Sequence, residues 1–201
     1  MRLKPIKNIS YFSKGKRGLI YSGIYKNKKV AIKVKKPESE AKNRIENEAN
    51  YLKLLNEYKI GPEFVMFKNK KLVYKFVEGE FIDDFLKKSP KPEIIKILLS
   101  ILKQCYQMDQ LKINKEEMHR PYKHIIIKTK PVMIDFERTH ETNSPKNVTQ
   151  FCQFMISRRI QLILKEKKIK INRKTIICSA KEYKKDLNKE NFKKIIDLLK
   201  D

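Results

Sequence analysis

The stretch SKGKRGLIYSGIYKNKKVAIKV (13–34) decides the fold of the first part of this 201-residue chain. It holds two runs rich in β-branched and aromatic residues, 18–25 and 28–36, which a short polar turn separates. Such a pattern predicts a β-hairpin. Gly15 and Gly18 fall on the turn that leads into the first strand, and glycine lets a backbone approach phosphate oxygens without a Cβ in the way. The stretch therefore predicts paired strands behind a turn that can bind phosphate.

The residues that follow continue the same type of structure. Two further runs, 63–69 and 71–79, have a similar composition and predict a second hairpin. Between the hairpins, 40–59 has apolar residues at helical spacing and stops before a Gly-Pro pair, which predicts one amphipathic helix. Residues 1–78 are therefore predicted to form a β-rich lobe with a single helix.

The second part of the chain has a different character. Its longest apolar runs have helical spacing, and only a small hairpin interrupts them. Residues 79–201 are therefore predicted to form a mostly helical lobe, so the whole chain is predicted to be a two-lobed α+β protein. The predicted elements are a helix at 93–110, a polar loop at 112–124, strands IIIK (125–128) and VMID (132–135), a helix at about 146–165 with Ser144 as N-cap, and a short basic helix at 188–200.

The composition limits the class of protein and of partner. Lys and Arg number 48 against 23 Asp and Glu, a formal net charge of +25, and 40% of the residues are hydrophobic, which predicts a folded core. So large a positive charge favours polyanionic partners such as nucleotides, acidic proteins, RNA or the ribosome. The lysines are nevertheless spread along the chain, as a composition bias or adaptation to heat would also produce.

The cysteines and the apolar runs point to an intracellular protein. Cys105, Cys152 and Cys178 are widely spaced in apolar surroundings, which predicts free buried thiols and argues against zinc. No apolar run reaches the ~18 residues of a membrane span, and the N-terminus lacks the apolar region of a signal peptide. The chain is expected to be soluble and cytoplasmic, without a membrane partner.

Lys33 stands within an apolar strand and is expected to need a buried anionic partner. At 100° per residue, Glu46 falls on the polar face of the following helix, whereas Glu48 falls inside its apolar stripe. The geometry therefore predicts an ion pair between Lys33 and Glu48. The alternative is that Glu48 lies at the edge of the stripe and reaches water.

Taken in order, the glycine turn, Lys33, Glu48 and the run Asp135-Phe136-Glu137 resemble the protein-kinase-like fold. The resemblance covers about 10–140 and is faint beyond that point. The small size, and a helix that runs into IGPEF, are similar to the RIO and Bud32 group of compact atypical kinases. The D-F-E run in place of D-F-G is similar to a family of small predicted archaeal Ser/Thr protein kinases.

This resemblance implies an ATP- and Mg²⁺-dependent Ser/Thr protein kinase that transfers the γ-phosphate to a hydroxyl acceptor. Lys33 would hold the α- and β-phosphates, Glu48 would fix Lys33, and Asp135 would bind the metal. The stretch 72–86 resembles the hinge whose backbone faces adenine. The implied nucleotide-binding residues are Gly15, Gly18, Ile20, Ala31, Lys33, Glu48, Lys75, Phe76 and Val77.

The sequence leaves two choices for the catalytic base, because MHRPYKHIII (118–127) offers two alignments. Placing His119-Arg120-Pro121 on the H-R-D motif puts proline at the base position, which implies a pseudokinase that binds nucleotide without turnover. Aligning Glu117 instead restores a carboxylate and gives a spacing to Asp135 that is closer to the family's. Glu117 is therefore the predicted base, with Glu116 as a lesser candidate.

Three further residues have open assignments. Glu137 stands where the family has glycine, and its Cβ removes freedom from the backbone, which predicts a rigid corner with Glu137 as a second metal ligand or paired with Lys or Arg. His124 is a candidate metal or phosphate ligand, or a structural histidine. Lys123 is a candidate γ-phosphate contact, or a solvated loop residue. A last alternative for the whole chain is a basic RNA- or ribosome-associated module whose contact surface is 165–200.

Overall fold

The computed structural model describes residues 5–15, 18–37 and 43–200, and within them the chain has an α+β fold. The centre of the glycine turn (16–17) and the predicted start of the first helix (40–42) lie outside these residues. The strands are β1 (Lys7–Lys14), β2 (Gly18–Tyr25), β3 (Lys28–Lys35), β4 (Phe64–Lys68), β5 (Lys71–Lys75), β6 (Glu80–Phe81), β7 (Ile113–Asn114), β8 (Ile125–Ile127), β9 (Pro131–Met133) and β10 (His140–Glu141). The helices are α1 (Arg44–Asn56), α2 (Ile82–Lys88), α3 (Lys91–Gln110), α4 (Asn147–Met155), α5 (Arg158–Glu166), α6 (Arg173–Lys185) and α7 (Lys189–Asp197).

The chain divides into two compact units, and the first comprises Met1–Glu78 together with Val132–Thr139. Its centre is a five-stranded antiparallel sheet in the order β1-β2-β3-β5-β4. Side chains alternate between the two faces of β3. Val30 and Ile32 join a cluster with Tyr25 and Val73 on one face, whereas Lys33 points to the other face, where α1 packs against β3, β4 and β5.

Helix α1 buries the stripe that its spacing predicts, at Ile45, Glu48, Ala49, Leu52 and Leu55. It ends at Asn56, three residues before the predicted end. The Asn56 side chain explains this, because its Nδ2 donates to the carbonyls of Ile60 and Pro62 while its Oδ1 accepts from the Phe64 N–H. The chain then turns back toward β4 through a residue that has to be glycine. Gly61 has φ +83°, and a Cβ there would lie 2.7 Å from Leu52 Cδ1.

The second unit comprises Gly79–Pro131 and His140–Asp201. Helix α3 is its central element and contacts α4 and α7, while α6 packs on both α4 and α7. Two short antiparallel pairs, β6 with β8 and β7 with β10, join the loops around these helices. Two 3₁₀ turns, Glu116–His119 and Pro121–Lys123, occupy most of the predicted polar loop.

Asp109 fastens the start of α4 to the end of α3. Its carboxylate is 1% exposed and accepts from the N–H groups of Asn147 and Val148, from the Asn147 side chain at 2.7 Å and from the Tyr183 hydroxyl at 3.1 Å. Burial raises the pKa of this carboxyl to about 6, although the four hydrogen bonds act in the opposite direction. The N-terminal N–H groups of α4 are therefore capped from another helix, and the prediction of Ser144 as N-cap is wrong.

Some other expectations for the second unit are also wrong. The helix predicted at 146–165 is two helices, because the backbone is extended at Ser157, where ψ is 148°. The Gln161 side chain donates to the Met155 carbonyl that the break leaves without a helical partner. Cys105 and Cys152 are buried as predicted, but Cys178 is exposed on α6. Among the described residues, no helix is long and apolar enough to cross a membrane.

Candidate functional site

Lys33 lies at the centre of the candidate site, which belongs entirely to the first unit. Its side chain projects from β3 and is 9% exposed. The Lys33 Nζ lies 2.5 Å from Glu48 Oε2 of α1 and 2.7 Å from Asp135 Oδ1 of the segment after β9. The predicted ion pair between Lys33 and Glu48 therefore forms, and a second carboxylate, 102 positions further along the chain, completes the cluster.

The cluster has one positive and two negative side chains, and the two carboxylates differ in their exposure to solvent. Burial by itself would lower the pKa of Lys33, but the neighbouring charges of Glu48 and Asp135 more than offset it, and the pKa is held above its usual range. One cation thus lies between two carboxylates. The Glu48 side chain is 3% exposed, whereas that of Asp135 is 35% exposed. Asp135 is therefore the member of the cluster that a dissolved cation can reach.

Asp135 has a backbone conformation that is uncommon for a residue with a Cβ. Its φ is +64°, in the left-handed region, which costs on the order of 1 kcal/mol or more and persists only where the surroundings impose it. The next residue supplies part of that constraint, since Phe136 is 1% exposed and its ring would lie 3.0 Å from a Cβ on Gly61. The Phe136 ring thus packs closely against the turn at Gly61, where a side chain would not fit.

Asn47 of α1 holds the backbone just after Asp135. Its Nδ2 donates to the carbonyls of Glu137 at 3.1 Å and Thr139 at 2.9 Å, and Arg44 Nη1 reaches the Glu137 carbonyl at 3.4 Å. The left-handed residue is Asp135 and not Glu137, which lies outside the set of positive-φ residues in the described chain. A Cβ at Glu137 is thus accommodated without strain, and contacts from α1 hold this corner in place.

Of Gly15 and Gly18, only Gly18 has surroundings that would crowd a Cβ. A Cβ on Gly18 would lie 3.1 Å from the Val34 carbonyl oxygen and 3.5 Å from Lys33 Cε. A Cβ on Gly15 would meet nothing closer than the Gly18 carbonyl oxygen at 3.6 Å, which is ordinary contact. The Gly15 N–H donates to that oxygen at 2.9 Å. Gly18 is therefore the place where a backbone approaches Lys33 closely.

The other residues expected to contact a nucleotide lie on strands of the same sheet as Lys33 or, for Phe76 and Val77, directly after β5. In the register of the sheet, Ile20 pairs with Lys33 and Ala31 pairs with Tyr74. The N–H of Lys75, the last residue of β5, donates to the Glu63 carbonyl, and that of Phe76 donates to the Lys29 carbonyl. Two of the three N–H groups expected to face adenine, at Lys75, Phe76 and Val77, thus already have partners in the protein.

Sequence reasoning missed Tyr74, which belongs to this cluster. Tyr74 is 8% exposed, and its pKa is raised above the usual range by burial and by the negative charge of Glu48. The pairing of Ala31 with Tyr74 places the ring on the face that carries Lys33. That register was the missing information, because the composition of β5 alone does not show which of its residues faces α1.

The predicted base, Glu117, lies in the second unit, on the first 3₁₀ turn. Its Oε2 accepts from Lys115 Nζ at 3.1 Å, and Lys115 is fully buried. The Lys115 N–H in turn donates to the Asn147 side chain at 2.8 Å. Glu116, the lesser candidate, accepts from Asn114 Nδ2 at 3.1 Å. Lys115 was not singled out in the sequence, since a lysine in a polar loop gives no sign that it is buried.

The remaining predicted residues lie close by in the same unit. Pro121 is buried at the start of the second 3₁₀ turn, Lys123 at its end is exposed, and His124 is half-buried. Within the described part of the chain, no three His, Cys, Asp or Glu side chains form a cluster that could hold a metal. Magnesium does not require one, because it is commonly bound through one or two carboxylates with waters and substrate phosphates.

Comparison with known proteins adds no relative for this site. A scan against protein-family models finds no match, and a search of curated proteins finds none either. The function of the site therefore has to be inferred from the cluster of Lys33, Glu48 and Asp135.

Proposed function

We propose that the chain is an ATP- and Mg²⁺-dependent phosphotransferase of the compact atypical kinase type, which transfers the γ-phosphate to a Ser or Thr hydroxyl of a protein. In this proposal the first unit is the nucleotide-binding lobe, and the second unit supplies the loop that meets the acceptor. The observation that supports it most is the buried Lys33 Nζ, which lies 2.5 Å from Glu48 and 2.7 Å from Asp135.

A purely structural ion pair explains this cluster poorly. Burying charges costs several kcal/mol per ion, and apolar residues of similar volume are often as good or better for stability. Here a single lysine contacts two carboxylates, and one of them has a left-handed backbone. Strained residues that the surroundings hold in place cluster at active and ligand-binding sites. The arrangement of Lys33 and Asp135 is therefore more typical of a ligand site than of a core.

The residues present fit a nucleotide with its magnesium ion. The missing Cβ of Gly18 leaves room beside Lys33, and the Asp135 carboxylate is a partly exposed oxygen ligand of the kind that Mg²⁺ prefers. When bound, ATP supplies the phosphoryl group and Mg²⁺ offsets its negative charge. The Lys33 ammonium has three N–H donors, and among the described residues two of them face carboxylates, which leaves the third for a phosphate oxygen.

Each residue then has a separate task. Glu48 keeps the Lys33 ammonium in place, and Asn47 keeps the backbone after Asp135 in place, so neither group has to be ordered when the nucleotide binds. Glu117 orients the acceptor hydroxyl and accepts its proton late in the transfer. Its ion pair with the buried Lys115 restricts the Glu117 side chain before the acceptor arrives.

The test is Mg²⁺-dependent ATP turnover by the full chain, compared between Asp135→Asn and Asp84→Asn. Asparagine tolerates the left-handed backbone of Asp135, so this variant removes the charge and little else. Asp84 is an exposed residue of α2 and provides the matched control. We expect Asp135→Asn to lower turnover by about 100-fold or more and Asp84→Asn to leave it unchanged. Turnover that survives Asp135→Asn would refute the assignment.

A nucleotide-binding pseudokinase is the second candidate, because the Glu117 carboxylate is already bound by Lys115. Under this alternative, Mg²⁺·ATP raises the melting temperature of the protein as ligand binding to the native state must. Glu117→Gln would then leave both that shift and any residual turnover unchanged. Under the leading proposal, Glu117→Gln keeps the shift and loses turnover, so the two measurements separate the candidates.

A further inference from the structure

A concave site lies in the second unit, between α4, α6 and the first 3₁₀ turn, and it shares no residue with the Lys33 cluster. Its volume is about 420 Å³ and it is open on one side. We call it the α4–α6 groove. Its wall on α6 is formed by Ile177, Ala180, Lys181 and Lys184, which a helix places on one face because they are three or four positions apart.

The floor of the α4–α6 groove is apolar. It is formed by Ile156 after α4 and by Ile176 and Ile177 of α6, with Cys152 and Ala180 beside them. Ile176 is fully buried, whereas Ile177 is only half-buried and presents apolar surface to the open side. Apolar area that is removed from water contributes roughly 25 cal/mol per Å². The floor therefore favours a ligand with apolar groups.

The rim of the groove is positive. Lys146, Lys181 and Lys184 are exposed along it, His119 completes it, and none of the lining residues is acidic. The acidic residue of α6, Glu182, accepts from Lys194 of α7 at 2.8 Å and does not line the groove. In the described residues, no ion pair joins a carboxylate to any of the three rim lysines. The rim therefore favours a ligand with several negative charges.

A compact phosphate group fits this rim poorly. Helix N-termini bind phosphate through unpaired N–H groups, but at α4 those of Asn147 and Val148 donate to Asp109, and that of Lys146 donates to Asn114. The lysines that remain to bind an anion here come from α6 and from the residue before α4. Such spacing suits carboxylates distributed along a chain better than the clustered oxygens of one phosphate.

Gln150 gives a further indication of the ligand. It lines the groove from α4, and its Oε1 is buried with no hydrogen-bond partner among the described residues. A buried acceptor without a partner is unfavourable, and rotation of the amide would offer this oxygen to a donor in the groove. A peptide has backbone N–H groups that can donate, whereas a fatty acyl chain has none.

We infer that the α4–α6 groove binds an acidic amphipathic peptide segment of a protein partner. Apolar side chains of the segment pack on Ile156, Ile176 and Ile177, and its carboxylates face Lys146, Lys181 and Lys184. The inference does not depend on phosphotransfer by the Lys33 cluster, because binding to the groove is measured without nucleotide.

The test uses the full chain and a fluorescent peptide of about four helical turns, with leucines on one face and glutamates on the flanks, whose binding is followed by anisotropy. We expect Lys181→Glu with Lys184→Glu to weaken binding roughly tenfold, since two of the three lysine charges that face the peptide are reversed. The matched control is Lys174→Glu with Lys185→Glu, which makes the same change of net charge on exposed residues of α6 outside the groove. This control should change the affinity by less than about twofold.

Ala180→Phe tests the floor separately, because it fills the groove without a change of charge. We expect it to weaken peptide binding by a similar factor, and melting curves show whether each variant is folded. The lysine pair decides the question if Ala180→Phe does not fold. Equal weakening by the two lysine pairs, or unchanged binding by a folded Ala180→Phe, would overturn the inference.

The same variants distinguish other polyanions from a peptide. Polyuridine and vesicles rich in phosphatidylserine are titrated against the wild-type chain and against Lys181→Glu with Lys184→Glu. We expect both probes to lose little more affinity in this variant than in the control pair. A loss as large as that of the peptide would assign the rim to nucleic acid or to lipid and would contradict the proposal.

Discussion

At the scale of single residues, the cluster of Lys33, Glu48 and Asp135 contains one contact that the sequence predicts and one that it does not. Helical periodicity alone distinguishes Glu48 from Glu46, and the predicted ion pair of Glu48 with Lys33 forms. The 2.7 Å contact with Asp135 could not be derived in this way, because no local pattern joins residues 102 positions apart. Tyr74 and Asn47 were missed for the same reason, since strand register and the path of a loop decide their contacts.

The first prediction concerns the energetic balance of this cluster. Lys33→Met should lower the free energy of unfolding by about 3–5 kcal/mol, since it leaves the Glu48 carboxylate buried without its cation. The double variant Lys33→Met with Glu48→Met should recover most of that loss. Urea unfolding followed by circular dichroism measures both.

Lys35→Met is the control for this prediction, because Lys35 lies on the same strand and is exposed. It should change the unfolding free energy by less than about 0.5 kcal/mol. A double variant that is no more stable than Lys33→Met would mean that the buried charge of Glu48 is not the source of the loss.

At the scale of elements, α1 supplies both a buried carboxylate and a backbone clamp. Asn47→Ala removes the donor to the carbonyls of Glu137 and Thr139 and leaves α1 otherwise intact. We expect amide hydrogen exchange across 135–139 to become roughly tenfold faster, which corresponds to the loss of about one net hydrogen bond. Mass spectrometry of exchanged peptides measures this rate.

Asn50→Ala is the control, since Asn50 is exposed on the same helix. It should leave exchange across 135–139 unchanged. Equal rates in Asn47→Ala and the wild type would show that the corner after Asp135 does not depend on α1.

The junction of α3 and α4 makes stability depend on pH. The folded pKa of Asp109 is about 6 against an ordinary value of 3.8, so the folded state binds the proton more tightly. This contribution to stability is fully present below the unfolded pKa and is lost as the pH rises through about 6. The shift corresponds to about 3 kcal/mol.

Asp109→Asn should abolish this contribution while also weakening the cap of α4. The difference in melting temperature between the wild type and Asp109→Asn should therefore be larger at pH 4 to 5 than at pH 7 to 8. Other carboxylates titrate in both proteins and cancel in the difference. A difference that stays constant with pH would contradict the raised pKa of Asp109.

The elements that sequence patterns predicted are those with a distinctive composition or spacing. Strands β2 and β3 are rich in β-branched and aromatic residues, and helix α3 has apolar residues at helical spacing; their bounds agree with the prediction to within about two residues. Strand β1 is exposed along nearly its whole length, so it has no alternation to detect. Helix α6 has few apolar residues, and its clearest signal is the Asn172 side chain, which accepts from the N–H groups of Lys174 and Thr175.

At the scale of the whole molecule, the net charge of +25 is the dominant global property. Mutual repulsion among the lysines opposes the compact state. Raising the salt from ~0.01 M to ~0.1 M shortens the Debye length from about 30 Å to about 10 Å. We therefore expect the melting temperature to rise by several degrees over this range.

Differential scanning calorimetry in sodium chloride measures this shift, and sucrose of equal osmolarity serves as the control. Sucrose at such low concentration should leave the melting temperature nearly unchanged. A melting temperature that falls with salt would show that the favourable ion pairs, such as Lys194 with Glu182, outweigh the repulsion.

The contact of Lys33 with Asp135 also has a consequence for how the protein is made. The first unit consists of two segments, Met1–Glu78 and Val132–Thr139. Lys33 and Glu48 are therefore synthesised well before Asp135. At roughly 5–20 residues per second, the stretch 79–139 takes several seconds to synthesise. Throughout that interval the nascent sheet has the buried charges of Lys33 and Glu48 but lacks Asp135 and the Phe136 ring. The nascent first unit therefore has to wait, incompletely packed, for residues that follow α3.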